Sequence, residues 1–375
     1  MVCVAVGLKL GLFLFTEWKR PQLKFQIDTP RYLESGMNLV LRGRFERVME
    51  DGSLILEHLR TPGYPLFLGI LHGIGKIPLA GVVFVQIGLT LAAALLTYKT
   101  ARLMDPRLQG ISVLIVLYDP AITLYSLMLL TEALYVFLIT GFMYTFVVYL
   151  KANRFKYLMA SALLLTAATY VRPVSFYLGI AIAGFILYAL GRLKPKIGLV
   201  HALIFLFLVY GLLGLWQFRN YYHFGVADFS SIAQITVFDS GLYKSYSRNK
   251  DPISQGLPPW AYYANVTSRC LLSLYTRPGS WKNLDSDFLK FLSKILAYPL
   301  MIFWFSGFLV GVTQMHGRVN LHFLSLIVLY FTVVMIGAVA FGVGPRFRIP
   351  MMPFLAILSA HGWIGLTQRF RKISD

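Results

Sequence analysis

Ile27-Asp28-Thr29-Pro30-Arg31-Tyr32 and Arg60-Thr61-Pro62-Gly63-Tyr64-Pro65-Leu66-Phe67-Leu68 are the two ends of one polar stretch, Gln26–Gly75, that follows the first apolar segment of the chain. Thr29 reads as an N-cap and Pro30 as the first helical residue, where a missing N–H costs the helix nothing. Leu33, Met37, Val40 and Leu41 then fall at i, i+4, i+7 and i+8, one apolar stripe of an amphipathic helix. Arg31, Glu34, Arg42 and Arg44 lie mostly off that stripe, so the helix is expected to rest on a membrane surface. Asp28 then stands at the helix mouth, where the dipole favours a carboxylate.

The flanking sequence explains why a membrane is invoked. Of 375 residues, 57% are hydrophobic and only 14% charged, more apolar surface than a soluble chain of this length can hide. The fold class is therefore an all-α polytopic membrane protein, with about ten spans. The formal charge of +19 is spread over loops between apolar runs, as a topology signal and an attraction for anionic lipid or lipid phosphate. No soluble basic domain exists to present that charge to nucleic acid, which is excluded as a partner. Cys3 and Cys270 are too few for a disulfide or metal framework. Met1–Phe15 has neither the basic n-region nor the cleavage site of a signal peptide, and reads as a shortened first transmembrane helix interrupted by Lys9.

The second span runs from about Pro78 to Leu103. Leu108–Leu150 must cross twice if the basic clusters on both sides share a compartment, with a hairpin tip expected near Asp119-Pro120. Tyr157–Leu190 repeats the pattern around Arg172-Pro173, ahead of Arg192, Lys194 and Lys196. Leu199–Phe218 closes a first block, 1–218, of seven helices that contains the outer loop 16–77. Residues 219–288 lack a long apolar run and read as an extracytoplasmic cap, and 289–375 hold three more spans and a basic tail. This count sends the Asp28 loop, Asp119, Arg172, the Arg219 loop and Gly344-Pro345-Arg346-Phe347-Arg348 to one face. No internal repeat is visible.

On that face Asp28 is either a helix-flanking acid or a base or metal ligand turned toward a membrane-bound substrate. Arg60, in a stiff Pro-Gly turn at the bilayer surface, suits a lipid phosphate, as do Arg346 and Arg348; ordinary interfacial snorkelling is the alternative. Glu132 needs a cationic partner near a helix end, and Arg172 is the candidate. Tyr32, Tyr64, Arg219 and Asn220 are further pocket candidates, and Glu57 with His58 is the loop's weak offer of metal ligands.

Together with Leu130-Thr131-Glu132-Ala133-Leu134-Tyr135, Trp216-Gln217-Phe218-Arg219-Asn220-Tyr221 and Arg346-Phe347-Arg348-Ile349-Pro350-Met351-Met352-Pro353, the two ends of the loop resemble, in order, the C superfamily of integral-membrane glycosyltransferases. The similarity is greatest to the protein O-mannosyltransferase and lipid A aminoarabinose transferase group. The resemblance implies a polyprenyl-phosphate-linked sugar as donor, Asp28 at the catalytic centre, and Arg60 with Arg346 or Arg348 on the lipid phosphate. Two departures weigh against a divalent metal cofactor: Thr29 follows Asp28 where many relatives have a second acid, and Leu59-Arg60-Thr61 supplies a single basic residue before the turn. No large soluble C-terminal domain is expected from this sequence, which argues against the full protein O-mannosyltransferase architecture.

The reading is an inverting glycosyltransferase in a bacterial or archaeal plasma membrane, its site on the extracytoplasmic side. The sugar goes to a lipid, glycan or protein acceptor. The alternatives are a transporter or flippase for lipid-linked or anionic substrates, which predicts mid-membrane charge and repeat symmetry, and a non-catalytic envelope scaffold.

Overall fold

The computed structural model describes residues 1–191, 194–231, 258–277, 287–315, 318–339 and 344–374. Half of the expected cap, at 232–257 and 278–286, lies outside these residues, as does Arg192 among the orienting charges. The helices in chain order are α1 (Val2–Lys19), α2 (Thr29–Arg42), α3 (Gly63–Leu68), α4 (Leu79–Met104), α5 (Gln109–Tyr118), α6 (Pro120–Ser126), α7 (Glu132–Ala152) and α8 (Phe155–Val171). They continue with α9 (Leu178–Gly191), α10 (Pro195–Phe224), α11 (Pro259–Thr276), α12 (Asp287–Thr313), α13 (Val319–Val339) and α14 (Met352–Ser374). One hairpin, β1 (Glu46–Val48) antiparallel to β2 (Leu54–Leu56), sits in the first loop with Arg47 opposite Ile55.

Among the described residues, six helices are long and apolar enough to span a membrane, or seven if the bent pair α5–α6 is one span. Shorter apolar helices, including α8 and the second half of α12, accompany them. Burial separates centre from rim: 78% of the apolar window ending in α14 is covered by protein, against 28% for α10. α4, α7, α8 and α14 form the middle of the bundle, where Phe142, Phe146, Phe323 and Phe354 interlock as tilted and edge-on rings.

The hairpin tip expected at Asp119 is elsewhere. Asp119 is fully buried and ends α5; its carboxylate caps α6 by accepting from Ile122 N–H at 2.8 Å, while Pro120 supplies the first residue of the new helix. The chain bends by 50° there and continues; it reverses only at Leu127–Thr131, before Glu132 opens α7. The reason is local: Asp-Pro is a helix restart as readily as a turn. In the second pair the chain does reverse at Arg172-Pro173, between α8 and α9.

α2 begins one residue earlier than the capping pattern predicts. Asp28 holds the N-cap position but its side chain makes no capping hydrogen bond. Thr29 instead accepts from Gln26 N–H at 2.9 Å and donates to the Leu129 carbonyl at 3.1 Å. The face that α2 turns inward is Thr29, Tyr32, Ser35 and Gly36. Gly36 lies so close to Pro65 and Gly69 that a Cβ has no room, which lets α2 pack backbone to backbone on α3.

Candidate active site

Two reverse turns of the bundle carry the site. The loop before Asp28 is fastened to the α6–α7 turn by Thr29 and by Leu129 N–H, which donates to the Lys24 carbonyl at 2.9 Å. The loop after β2 is fastened to the α8–α9 turn: Thr61 faces the Val171 carbonyl at 3.4 Å, and Gly63 is pressed against Tyr170. Asp28 and Arg60 are thereby brought together, and Arg60 Nη2 donates to Asp28 Oδ1 at 2.5 Å. The pair keeps 17% and 27% of its side-chain surface open, so solvent or substrate can reach both partners.

A second carboxylate lies beneath. Glu132, 1% exposed at the start of α7, takes Arg172 Nη1 at 2.8 Å and Arg346 Nε on the same oxygen, Oε1. Its other oxygen, Oε2, is buried with no partner. Tyr32 joins the two halves: Arg60 sits over its ring at 5.4 Å, and Asp28, Glu132 and Arg172 all act on its phenol electrostatically. Burial pushes that phenol above its ordinary range against the opposing Arg60 cation, so it stays a proton donor. Tyr64 packs edge-on beneath Tyr32 and is fully buried; its hydroxyl donates to Gln86 Oε1 at 2.6 Å, so it supports the site from below.

The five charged groups are three arginines and two carboxylates, a surplus of one positive charge. The arginines keep 15–29% of their side chains accessible. Arginines fixed by carboxylates and still partly open are suited to a phosphate dianion, which their forked N–H groups match.

Arg348 does not belong to this group. It is 1% exposed, donates to the Leu274 and Arg277 carbonyls at 2.8 and 3.1 Å, and faces Asp119 Oδ2 at 3.8 Å. Its Nη1 is spent on helix-end carbonyls while its Nε has no partner, so the structure sets it apart from the three arginines around Tyr32. Arg219 and Asn220 likewise hold the first loop. Arg219 donates to the Glu57 carbonyl at 2.9 Å and to Asn220 Oδ1, and Asn220 donates to the Asp228 carbonyl.

Glu57 and His58, the loop's weak metal-ligand candidates, lie against the loop backbone and α10, with Glu57 Oε2 and His58 Nδ1 free of hydrogen bonds. Glu57 Oε1 accepts from Leu59 N–H at 2.7 Å, Oε2 faces Arg47 at 3.8 Å, and the His58 ring lies tilted against Phe224. Among the described residues no three His, Cys, Asp or Glu side chains gather.

Residues 59–214, which include Arg60, Tyr64, Glu132 and Arg172, match the family described as dolichyl-phosphate-mannose-protein mannosyltransferase. The fold is shared with ArnT from Cupriavidus metallidurans, solved bound to undecaprenyl phosphate, at a TM-score of 0.57 and 13% identity over 97% of this chain and 62% of that one. The family match covers less than half of the chain, and what is shared with ArnT is the fold. An Archaeoglobus fulgidus oligosaccharyltransferase solved with Zn and sulfate gives a TM-score of 0.63 at 14% identity, over 98% of this chain and 49% of that one. The archaeal oligosaccharyltransferase AglB from the same organism, in complex with an inhibitory peptide and a dolichol-phosphate, gives 0.53 at 12%, over 97% and 51%. The chain thus spans less than two thirds of the length of these proteins. No curated protein matches it.

Within this fold the sequence missed two aromatic groups. Tyr125, on α6, lies under Arg346 at 5.8 Å, and Tyr135, on α7, lies under Arg172 at 5.8 Å with its hydroxyl 2.5 Å from Ser175 Oγ. Tyr125 stands in an apolar run where nothing in the sequence marks it, and Tyr135 closes the Leu130–Tyr135 motif without being singled out as a site residue.

Proposed function

We infer that the protein transfers a hexose or pentose from a polyprenyl-phosphate donor to a lipid, glycan or protein acceptor, with inversion at the anomeric carbon. The observation that carries this is the convergence of Asp28 with Arg60, Arg172 and Arg346 around Tyr32. The donor's phosphate replaces solvent against the open sides of the arginines. An acceptor hydroxyl or amine attacks the anomeric carbon, the bond from that carbon to the phosphate oxygen breaks, and the acceptor proton passes to Asp28. The departing charge is already a phosphate, so the arginines stabilise it without a separate acid. Glu132 keeps Arg172 and Arg346 apart from one another in charge and in place, and its unpaired Oε2 is a spare acceptor for a sugar hydroxyl.

The same reading puts the site on the extracytoplasmic side of a bacterial or archaeal plasma membrane, under a cap contributed by 219–288. The transporter reading wants charge at mid-membrane. The charges buried in the bundle, Lys9, Asp119 and Arg348, are 2%, 0% and 1% exposed and bonded to protein, which suits bracing and not passage.

The test is transfer of radiolabelled sugar from a panel of polyprenyl-phosphate donors by the purified full chain in lipid discs, with lipid, glycan and peptide acceptors. Inverted, labelled product supports the reading. Equilibrium binding of donor with no transfer to any acceptor class, coupled to donor translocation in vesicles, would replace it with the transporter.

A further inference from the structure

At the other end of the bundle a cavity of about 510 Å³ opens where α4, α7 and α9 finish and α13 begins. The 21 residues of α7 separate it from Glu132, a distance of about 30 Å along the helix. Leu108, Leu150, Leu190 and Leu321 supply apolar wall. Lys151, Arg318, Asp105 and His361 supply the polar part.

The charges there do not cancel. Asp105 is the acid of the wall, and Arg107 already grips both of its oxygens, with Nη2 to Oδ2 at 2.6 Å and Nε to Oδ1 at 3.0 Å. That grip holds the Asp105 carboxyl below the ordinary carboxylate range, with a smaller contribution from Arg318. Arg318 has only a neutral contact, Nη1 to His361 Nδ1 at 3.4 Å, and His361 passes its other ring nitrogen to the Gln314 carbonyl at 3.4 Å. Lys151 donates to the Leu103 carbonyl. Among the described residues neither Lys151 nor Arg318 forms an ion pair, so two cations face one half-apolar cavity with no anion of their own. Val319 and Asn320, the first residues of α13, also line it, where helical N–H groups lack internal acceptors.

We propose that this cavity binds a phosphate group, with Arg318 and Lys151 as its cationic partners. The apolar half of the wall suits the glycerol and first methylenes of an anionic phospholipid, and free phosphate is the other source of the same chemistry. Basic residues at the membrane surface attract anionic lipid in any case; here the cavity gives the headgroup a fixed seat. The site is independent of the reading of the Asp28 cluster.

The experiment uses the full chain in a Cys3→Ser background carrying Asn320→Cys, with Cys270 left in place because it is buried. Labelling by a neutral maleimide is timed in phosphatidylcholine discs, in discs containing phosphatidylglycerol, and in phosphatidylcholine discs with inorganic phosphate replacing chloride at equal ionic strength. Ser374→Cys serves as a reference away from the cavity. Protection of roughly tenfold by phosphatidylglycerol alone assigns a lipid headgroup, and protection by inorganic phosphate assigns the free anion. Protection should vanish in Arg318→Gln/Lys151→Gln and persist in Arg318→Lys. Unchanged labelling in all three conditions, or protection that survives loss of both cations, overturns the proposal.

Discussion

Asp28→Asn separates catalysis from support. Asparagine keeps the size of the side chain and is as good as aspartate at a helix N-cap, but the point hardly matters here, since the Asp28 carboxylate makes no capping bond. What the substitution removes is the charge facing Arg60 and the basic oxygen. The ion pair is partly open, at 17% and 27% of its side chains, so its loss should cost about 0.2–1 kcal/mol of stability. Loss of a positioned general base costs about 10²–10⁴-fold in rate, or roughly 3–5 kcal/mol in the barrier. The two effects differ enough to be told apart. Initial transfer rates at saturating donor should fall by about that factor, while thermal unfolding moves only slightly and donor binding holds or tightens as Arg60 is released. Arg60→Gln should show the complementary split, with a higher donor KM and a smaller fall in kcat. A rate within about threefold of wild type in Asp28→Asn would refute the reasoning, since no general base is worth so little.

Arg346→Gln should raise the donor KM and leave the fold intact, whereas Arg348→Gln should lower thermal stability, by about 3–5 kcal/mol for one partner of a buried pair; equal donor KM effects from both would undo the distinction drawn between them. Gly63→Ala brings a Cβ to 2.6 Å from the Tyr170 carbonyl carbon and oxygen, so unfolding should shift down by about 1–3 kcal/mol, and an unshifted melt would mean that the Arg60 turn is not pressed on the α8–α9 turn. Cysteines placed at Ser53 and Ser374 should label from opposite sides of sealed vesicles; labelling of both from one side would contradict the arrangement of spans.

Much of the site was legible because it is punctuated. The Thr-Pro at the start of α2, the Pro-Gly turn after Arg60 and the Arg-Pro between α8 and α9 are local signals, and each lies at a true boundary within a residue or two. The pairing of Glu132 with Arg172 was legible for a different reason: an acid at a helix end in a membrane has few affordable environments. The union of Asp28 with Arg60 was not, because each partner taken alone has a complete local explanation. Both were given one.

The harder problem was the choice between Arg346 and Arg348. They stand two apart in a 3-10 segment, Pro345–Met351, where three residues make a turn and side chains two apart diverge by about 240°. One must therefore face away from the other, and the sequence does not say which. The structure decides through charges that the sequence reads one at a time. Lys9, deep in α1, donates to Thr123 at 2.7 Å and lies within the field of Asp119; Asp119, at the broken helix, faces Arg348. These three residues are far apart in sequence, and each is anomalous alone: a lysine in a first span, an aspartate inside an apolar run, an extra arginine before the last helix. Together they are two cations sharing one carboxylate at a helix break, a buried group that fixes the start of α14. Fixing Arg348 inward turns Arg346 toward Glu132. The interior charges thus bear on the site by setting the direction of one arginine, and a sequence pattern that scores residues one at a time cannot contain that information.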